Sequence, residues 1–407
     1  MTKAQLLIVA DDFTGGLDTG VQFAKRGVPV RVVVKPQGAW TETDAQVLVA
    51  VSETRHLPPA DAYAAVSRLV REARAAGIPY VYKKTDSALR GNIGAELNAA
   101  WTASGAETLA FLPAFPLMRR TTVGGRHYID GVPVSRSPFG RDPLNPVAED
   151  DVKVLIAAQT DAPVWNAVPE DIRAGRGICV VDAATDDDLA RAGEALREQG
   201  LLRVTAGCAG FAAFLPALLG LKTGEPPRLP DLGDGLTVIC GSANPITRRQ
   251  LDWAETHGFA RARFAPEKKL EPDRAAAPQL PGKWRILDAN DEDMDNRPTR
   301  EYASAHGWDM DDIRARVTAS LAEMLAQMEP ETTGALLITG GDTLLACMER
   351  LGGLGLEPVL ELFPGVILAR AVGGERERWV IAKSGGFGEE TLLTDLREMI
   401  AGTNGAR

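Results

Sequence analysis

The chain of 407 residues is poor in the residue types that announce metal or redox chemistry. Its four cysteines, Cys179, Cys208, Cys240 and Cys347, lie far apart and form no CxxC pair. That excludes a disulfide framework and a thiolate zinc site, and leaves them as small buried hydrophobes in a reducing compartment. The four histidines, His56, His127, His257 and His306, form no HxxH or HxxxH pair, so no metal site built from protein side chains alone is expected. Positive charge is also in deficit. Lysine and arginine total 45 against 55 aspartates and glutamates, a formal net charge of -10, which argues against a general nucleic-acid binder. No run approaches the roughly 20 apolar residues that cross a bilayer. The apolar stretch behind MTKAQ is too short for a signal peptide and has no small-residue cleavage site behind it. The expectation is a cytoplasmic protein with no membrane partner. Neither a GxxxxGK[ST] loop nor a strand-linked GxGxxG with a downstream acid occurs, which removes the P-loop and dinucleotide-fold fingerprints.

What is present is alternation. Short β-branched runs (LLIVA, VRVVV, VLVAV, YVYK, TLAFLP, GICVVDA, LLRVTAG) are interleaved with amphipathic helical stretches. This is the signature of βαβ units around a mainly parallel sheet. The segment 220–235 is rich in proline and glycine and reads as a linker. After it the alternation restarts with LTVIC, ALLI and WVIA. The expected fold is α/β, with two α/β domains of mainly parallel sheet at 1–222 and 235–407. Ligands in such sheets sit beyond the carboxyl ends of the strands.

The first half gathers charge at those ends. LLIVA runs straight into Asp11 and Asp12, and adjacent carboxylates at the edge of a core need partners or a task. A helix cap is the plain alternative for Asp12. SETRHL places Arg55 after the next strand but one. YVYKKTDSALRGN delivers Lys83, Lys84, Asp86, Ser87 and Arg90 within a few residues, with Asn92 as the expected cap of the following helix. Two lysines and an arginine around one aspartate can bind a carboxylate and keep the aspartate ionised, and Arg90 can hold that carboxylate with two parallel bonds. A third stretch, 111–134, carries Arg119, Arg120 and Arg126, and its GGRHYIDG portion reads as a β-hairpin. The second half offers glycine bends instead. GSANPIT, TGGDT (with Asp342 or Thr343 as helix cap) and KSGGFG each follow an apolar strand and precede a helix, where free N–H groups favour an anion.

These segments together resemble the four-carbon acid sugar kinases. The likeness spans nearly the whole chain and rests on ADDFTGGLDTGVQFAKRG, SETRHL, YKKTDSALRGNIGAEL, PAFPLMRRTTVGGRHYIDGVPV, RDPLNPV (141–147), GSANPITRRQ, TGGDT, FPGV and KSGGFG. Ala88, Ser384 and Ala243-Asn244 depart from the pattern of that family. The resemblance implies an amino-terminal domain that binds a sugar acid, a carboxyl-terminal domain that binds ATP, and an active site in the cleft between them. It implies an acid site that includes Asp11, Arg55, Lys83, Lys84, Thr85, Ser87 and Arg90, with Asp86 and Asp12 as candidate catalytic carboxylates. The implied nucleotide site includes Ser242, Gly340, Gly341, Asp342, Thr343, Gly385 and Gly386, with Mg²⁺ held chiefly by phosphate and water. The alternatives are a kinase for another short or branched acid, such as an oxo-isoapionate, and a non-catalytic sugar-acid sensor. A homo-oligomer is compatible with the sequence, which does not fix the oligomeric state.

Overall fold

The computed structural model describes residues 4–33, 44–142, 145–328, 334–353, 355–373 and 378–404. Positions 143 and 144, in the middle of the RDPLNPV motif, lie outside the described residues. The chain divides into two compact units, Met1–Pro226 and Pro227–Arg407.

The strands of the first unit are β1 (Leu6–Ala10), β2 (Val30–Val33), β3 (Val47–Val51), β4 (Tyr80–Lys84), β5 (Thr108–Leu112), β6 (Arg120–Val123), β7 (Arg126–Ile129), β8 (Val132–Pro133), β9 (Val164–Ala167), β10 (Gly177–Val181) and β11 (Val204–Gly207). Its main sheet has the order β2-β3-β1-β4-β11-β5-β10-β9 and every pairing in it is parallel. Parallel strands covered by helices on both faces are apolar throughout, as in the wholly buried LLIVA, VLVAV and TLAFL runs. Strands β6, β7 and β8 form a separate antiparallel sheet, the hairpin expected from GGRHYIDG, and it turns at Gly124-Gly125.

Register decides where the charged residues go. Ala10 pairs with both Val51 and Lys84, so the residues that follow, Asp11, Ser52 and Thr85, emerge side by side at one sheet edge. The helix Phe13–Ala24 starts at once, with Asp12 as its cap: Oδ1 accepts from Gly15 N at 3.0 Å. It begins earlier than the DTGVQFAKRG pattern indicates, because the cap stands at Asp12. Asn92 precedes the helix Ile93–Ser104 but does not cap it. Its amide donates instead to the carbonyls of Thr54 and Leu57, at 2.8 Å each, while Gln159 Oε1 accepts from Gly94 N and Ala95 N.

The second unit contains β12 (Leu236–Cys240), β13 (Ala260–Arg263), β14 (Trp284–Asp288), β15 (Ala335–Thr339), β16 (Gly355–Phe363), β17 (Val366–Val372) and β18 (Arg378–Lys383), in the order β13-β14-β12-β15-β18-β17-β16. The pairings from β13 to β18 are parallel, whereas β17 runs antiparallel to both β18 and β16. Cys240 pairs with Thr339 and Thr339 with Lys383, which aligns the bends that follow β12, β15 and β18. The helix Pro245–Thr256 follows the first bend, with Pro245 in its first turn and Asn244 Oδ1 accepting from Ile246 N at 2.9 Å. The helix Gly341–Arg350 follows the second. Its capping position is Gly340, so neither Asp342 nor Thr343 is the cap; both lie inside the first turn. No helix among the described residues is long and apolar enough to cross a membrane.

Candidate active site

In the first unit the structure draws Asp11, Asp12, Arg55, Lys84, Asp86 and Arg90 into one cluster at the carboxyl ends of β1, β3 and β4. Arg55 is its hub. Its Nη2 stands 2.7 Å from Asp11 Oδ2, 2.8 Å from Asp12 Oδ1 and 3.8 Å from Asp86 Oδ1, and its Nε donates to Asp11 at 2.7 Å. Burial opposes the charge on this guanidinium, but the three carboxylates more than offset it and hold its pKa well above the ordinary value. Burial likewise pushes Asp11 up, and Arg55, Lys84 and Lys83 outweigh that and hold it below the usual carboxylate range. Lys84 Nζ lies 3.9 Å from Asp11 Oδ1. A Cβ on Gly15 would fall 2.7 Å from that ammonium, so only glycine lets the lysine reach over the start of the helix.

Asp86 is held from several sides. Arg90 Nε donates to its Oδ2 at 2.9 Å and Nη2 to its Oδ1 at 3.0 Å, and Oδ2 also accepts from the N–H groups of Ala88 and Arg90. Burial would raise its pKa, but Arg90 and Arg55 drive it far below the usual range. Asp86 is therefore a fixed negative charge and a feeble base. The sequence pattern suggested that Arg90 could grip an incoming carboxylate with two parallel bonds; in the structure that fork holds Asp86, and the remaining nitrogen reaches Asp142 at 3.1 Å. Asp12 is more available: its contacts with Gly15 and Arg55 both run through Oδ1.

Other members of the stretch 83–87 lie beneath the cluster. Alternation along β4 sends Lys83 and Lys84 to opposite faces. Lys83 is fully buried, 2.8 Å from Glu96 Oε2 and bonded to the carbonyls of Val9 and Lys84. Glu96 also accepts from Thr54 Oγ1 at 2.5 Å, and burial raises its pKa. Lys83 thus neutralises a buried acid and ties two strand ends, and its ammonium is fully occupied by protein groups. Thr85 is buried, and among the described residues its hydroxyl has no hydrogen-bond partner. Ser87 contributes its carbonyl, which accepts from His127 Nε2 at 3.0 Å, while Thr122 Oγ1 lies 3.0 Å from Nδ1. Sequence reasoning missed Glu96 and His127. Both lie inside recognisable stretches, Glu96 in YKKTDSALRGNIGAEL and His127 in GGRHYIDG, but only the packing of a helix and a hairpin onto the strand ends brings their side chains here.

In the second unit the bends after β12 and β18 touch. A Cβ on Gly385 would meet Ser242 Oγ at 2.4 Å and Asn244 Cβ at 3.1 Å, so the close approach demands glycine. Thr247 Oγ1 donates to the Gly385 carbonyl at 2.7 Å. Lys383, also missed, is buried at the end of β18; its Nζ bonds to Thr247 Oγ1 and to the carbonyls of Ser384 and Gly385. Burial pushes its pKa down to about 8. Asn290, after β14, donates to the Ser242 carbonyl at 3.0 Å. Gly340 and Gly341 form the bend between β15 and its helix, and a Cβ on Gly241 would fall 2.0 Å from Thr343 Oγ1. Asp342 pairs with Arg314 at 3.3 Å. The first-turn N–H groups of the helices starting at Pro245 and Gly341 have no intrahelical acceptor, as at every helix start. Among the described residues, Thr339 Oγ1, buried at the end of β15, lacks a partner as well. Backbone donors, glycines that admit close approach and an unsatisfied hydroxyl suit a chain of phosphates. Among the described residues, no group of three or more His, Cys, Asp or Glu side chains is placed to hold a metal ion.

An α/β protein with a charge-lined strand edge in one unit and amide-lined bends in the other has the parts of a phosphotransferase. Residues 6–215 match the model of a sugar-binding N-terminal domain, and residues 237–393 that of a nucleotide-binding C-terminal domain. A D-threonate kinase of Salmonella typhimurium is 31% identical, the alignment covering 98% of this chain and the whole of the relative. A D-erythronate kinase of Heliobacterium modesticaldum is 27% identical over 94% of each chain. A solved structure from Salmonella typhimurium superposes with a TM-score of 0.78 at 21% identity, covering 96% of this chain and 98% of that one, a likeness of fold. The chain belongs to the four-carbon acid sugar kinase family.

Proposed function

We propose that the protein transfers the γ-phosphoryl of ATP to the terminal hydroxyl of a four-carbon sugar acid of the threonate, erythronate or 3-oxo-tetronate type. In this reading residues 1–222 bind the acid and residues 235–407 bind the nucleotide. The supporting observation is the gathering of Asp11, Asp12, Arg55, Lys84, Asp86 and Arg90 at one strand edge. Such a site orients a small polyhydroxy anion: its ionised carboxylates accept from hydroxyls and its cations face negative charge.

The chemistry asks mainly for placement and charge stabilisation, because phosphoryl transfer passes through a loose transition state. Asp12 orients the attacking hydroxyl and takes its proton. Asp86, held ionised by Arg90, fixes the position of Arg55, which in turn aligns Asp11 and Asp12. The acid site comprises these residues with Lys84, Thr85 and Ser87, underpinned by Lys83. Ser242 and the bends Gly340 to Thr343 and Gly385-Gly386 hold the phosphates through backbone donors. Mg²⁺, when bound with ATP, neutralises phosphate charge, with phosphate and water as its main ligands.

The test is ATP-dependent ADP release with a panel of C4 sugar acids, on the native enzyme and on Asp12→Asn. Turnover of at least one tetronate, lowered about 100-fold or more in the variant, supports the assignment. Sugar-acid binding without ADP formation would convert the reading into that of a sensor. Turnover only with a branched acid would move the substrate class.

A further inference from the structure

We propose that Arg120 is the residue that receives the carboxylate of the sugar acid, and so sets the preference for an acid over a neutral sugar. The inference rests on the kinase reading above and deepens it.

Every other guanidinium in the cluster is already engaged by protein carboxylates. Arg55 faces Asp11, Asp12 and Asp86, and Arg90 holds Asp86 and Asp142. An incoming carboxylate would have to compete with them. Arg120 is different. Among the described residues its guanidinium makes one hydrogen bond, from Nη1 to the Met118 carbonyl at 3.1 Å, and its buried Nε has no hydrogen-bond partner. A buried guanidinium nitrogen without an acceptor is costly, and the cost is relieved when a ligand supplies one.

The backbone explains why this arginine turns inward. Arg119 takes a left-handed conformation, φ 55°, at the end of a short turn, and its own side chain points to solvent, where it pairs with Asp130. Arg120 then opens β6 in register with Ile129, and Thr122 with His127. Residues two apart on a strand share a face. Arg120 therefore lies on the face that carries Thr122 and the buried His127, and His127 reaches Ser87 in the Asp86–Arg90 turn. The two arginines also share one aromatic surface: the guanidinium carbons of Arg90 and Arg120 lie 5.1 Å and 5.9 Å from the centre of the Phe139 ring. They are thus no more than about 11 Å apart, with the ring between or beneath them. A planar fork with open donors is the group that matches a carboxylate, and a lysine in its place would supply charge without the fork.

The experiment compares Arg120→Met and Arg120→Lys with the native enzyme. Steady-state kinetics are measured for tetronate and for ATP, and thermal shifts for the tetronate and its primary amide. Arg120→Met should raise KM for the tetronate about 100-fold and leave KM for ATP unmoved. It should abolish the thermal shift given by the acid and leave that given by the amide as it is in the native enzyme. Arg120→Lys, which retains the charge, should raise KM roughly 10-fold. An unchanged KM for the tetronate overturns the proposal. So does a loss confined to kcat, which would place Arg120 on the transferred group, and so does an equal loss for acid and amide, which would make it a structural residue. If the native enzyme turns over no tetronate, the kinase reading fails first and this inference falls with it.

Discussion

Arg90 holds Asp86 four residues back along the chain by both oxygens, Nε to Oδ2 at 2.9 Å and Nη2 to Oδ1 at 3.0 Å, and keeps it charged in a largely buried turn. Removing the fork strands that charge. Arg90→Met should destabilise the protein by about 2–3 kcal/mol, read as a lower midpoint in urea. The acid dependence should change with it. Because the folded pKa of Asp86 is depressed, its contribution is full above the ordinary carboxylate range and is lost as pH falls through and below that range. The variant should show a shallower loss of stability in acid than the native protein. Equal midpoints at neutral pH would mean that the pair contributes nothing.

The Lys83–Glu96 pair should behave as a buried pair and not as two surface charges. Lys83→Met leaves Glu96 without its cation and should cost about 3–5 kcal/mol. The double change with Glu96→Leu removes both charges and should recover most of that loss. Additive destabilisation in the double variant would argue against direct coupling.

His127 supplies a pH signature of its own. Burial lowers its pKa to about 4, against the hydrogen bond to the Ser87 carbonyl that favours the charged form. The folded state therefore resists the proton that the unfolded chain accepts near 6.5. The stability tied to neutral His127 is complete above about 6.5 and declines as pH falls to about 4, by up to about 3 kcal/mol. His127→Gln should flatten the stability profile between those limits. An identical slope in native and variant protein would show that the ring is not the titrating group.

Gly385 is the test of the nucleotide bends. A methyl group there would lie 2.4 Å from Ser242 Oγ and 3.1 Å from Asn244 Cβ, so Gly385→Ala must turn the serine hydroxyl aside and press on Asn244. We expect a stability loss of about 1–3 kcal/mol, measured by urea unfolding. KM for ATP should rise about 10-fold or more, while the thermal shift given by the sugar acid persists. Unchanged ATP kinetics would remove this bend from the nucleotide site.

Much of this arrangement was legible in the sequence because strand ends carry their own marks. LLIVA stopping at Asp11-Asp12 and WVIAK stopping at SGG state where backbone turns away from the sheet. The β-branched, wholly apolar runs of the first unit announced parallel strands. The charged ARAR and WRILD segments hid β13 and β14, since edge strands and their neighbours need no apolar alternation. The long antiparallel pair β16–β17 was visible only as an FPGV motif, although Pro364-Gly365 is the turn between its strands. Glu96 stands in the first turn of the helix Ile93–Ser104, in the same stretch YKKTDSALRGNIGAEL as Lys83, but linear spacing does not show that the intervening turn folds the two side chains together. The reversal of Arg90 from ligand-gripping fork to the partner of Asp86 was equally hidden, because spacing shows that two charges can meet and not which of several partners they take.

One amide links parts of the second unit that are far apart in sequence. Gln250 Nε2, on the helix that begins just after Ser242 and Asn244, donates to the carbonyls of Phe387, Gly388 and Glu389 at 3.0, 2.8 and 2.9 Å. The segments following Cys240 and Lys383 consequently form a single mechanical part. A graft that imports either segment from a relative will fit only when the intervening helical face travels with it, so divergence in this lobe should proceed by matched exchanges and not by independent drift.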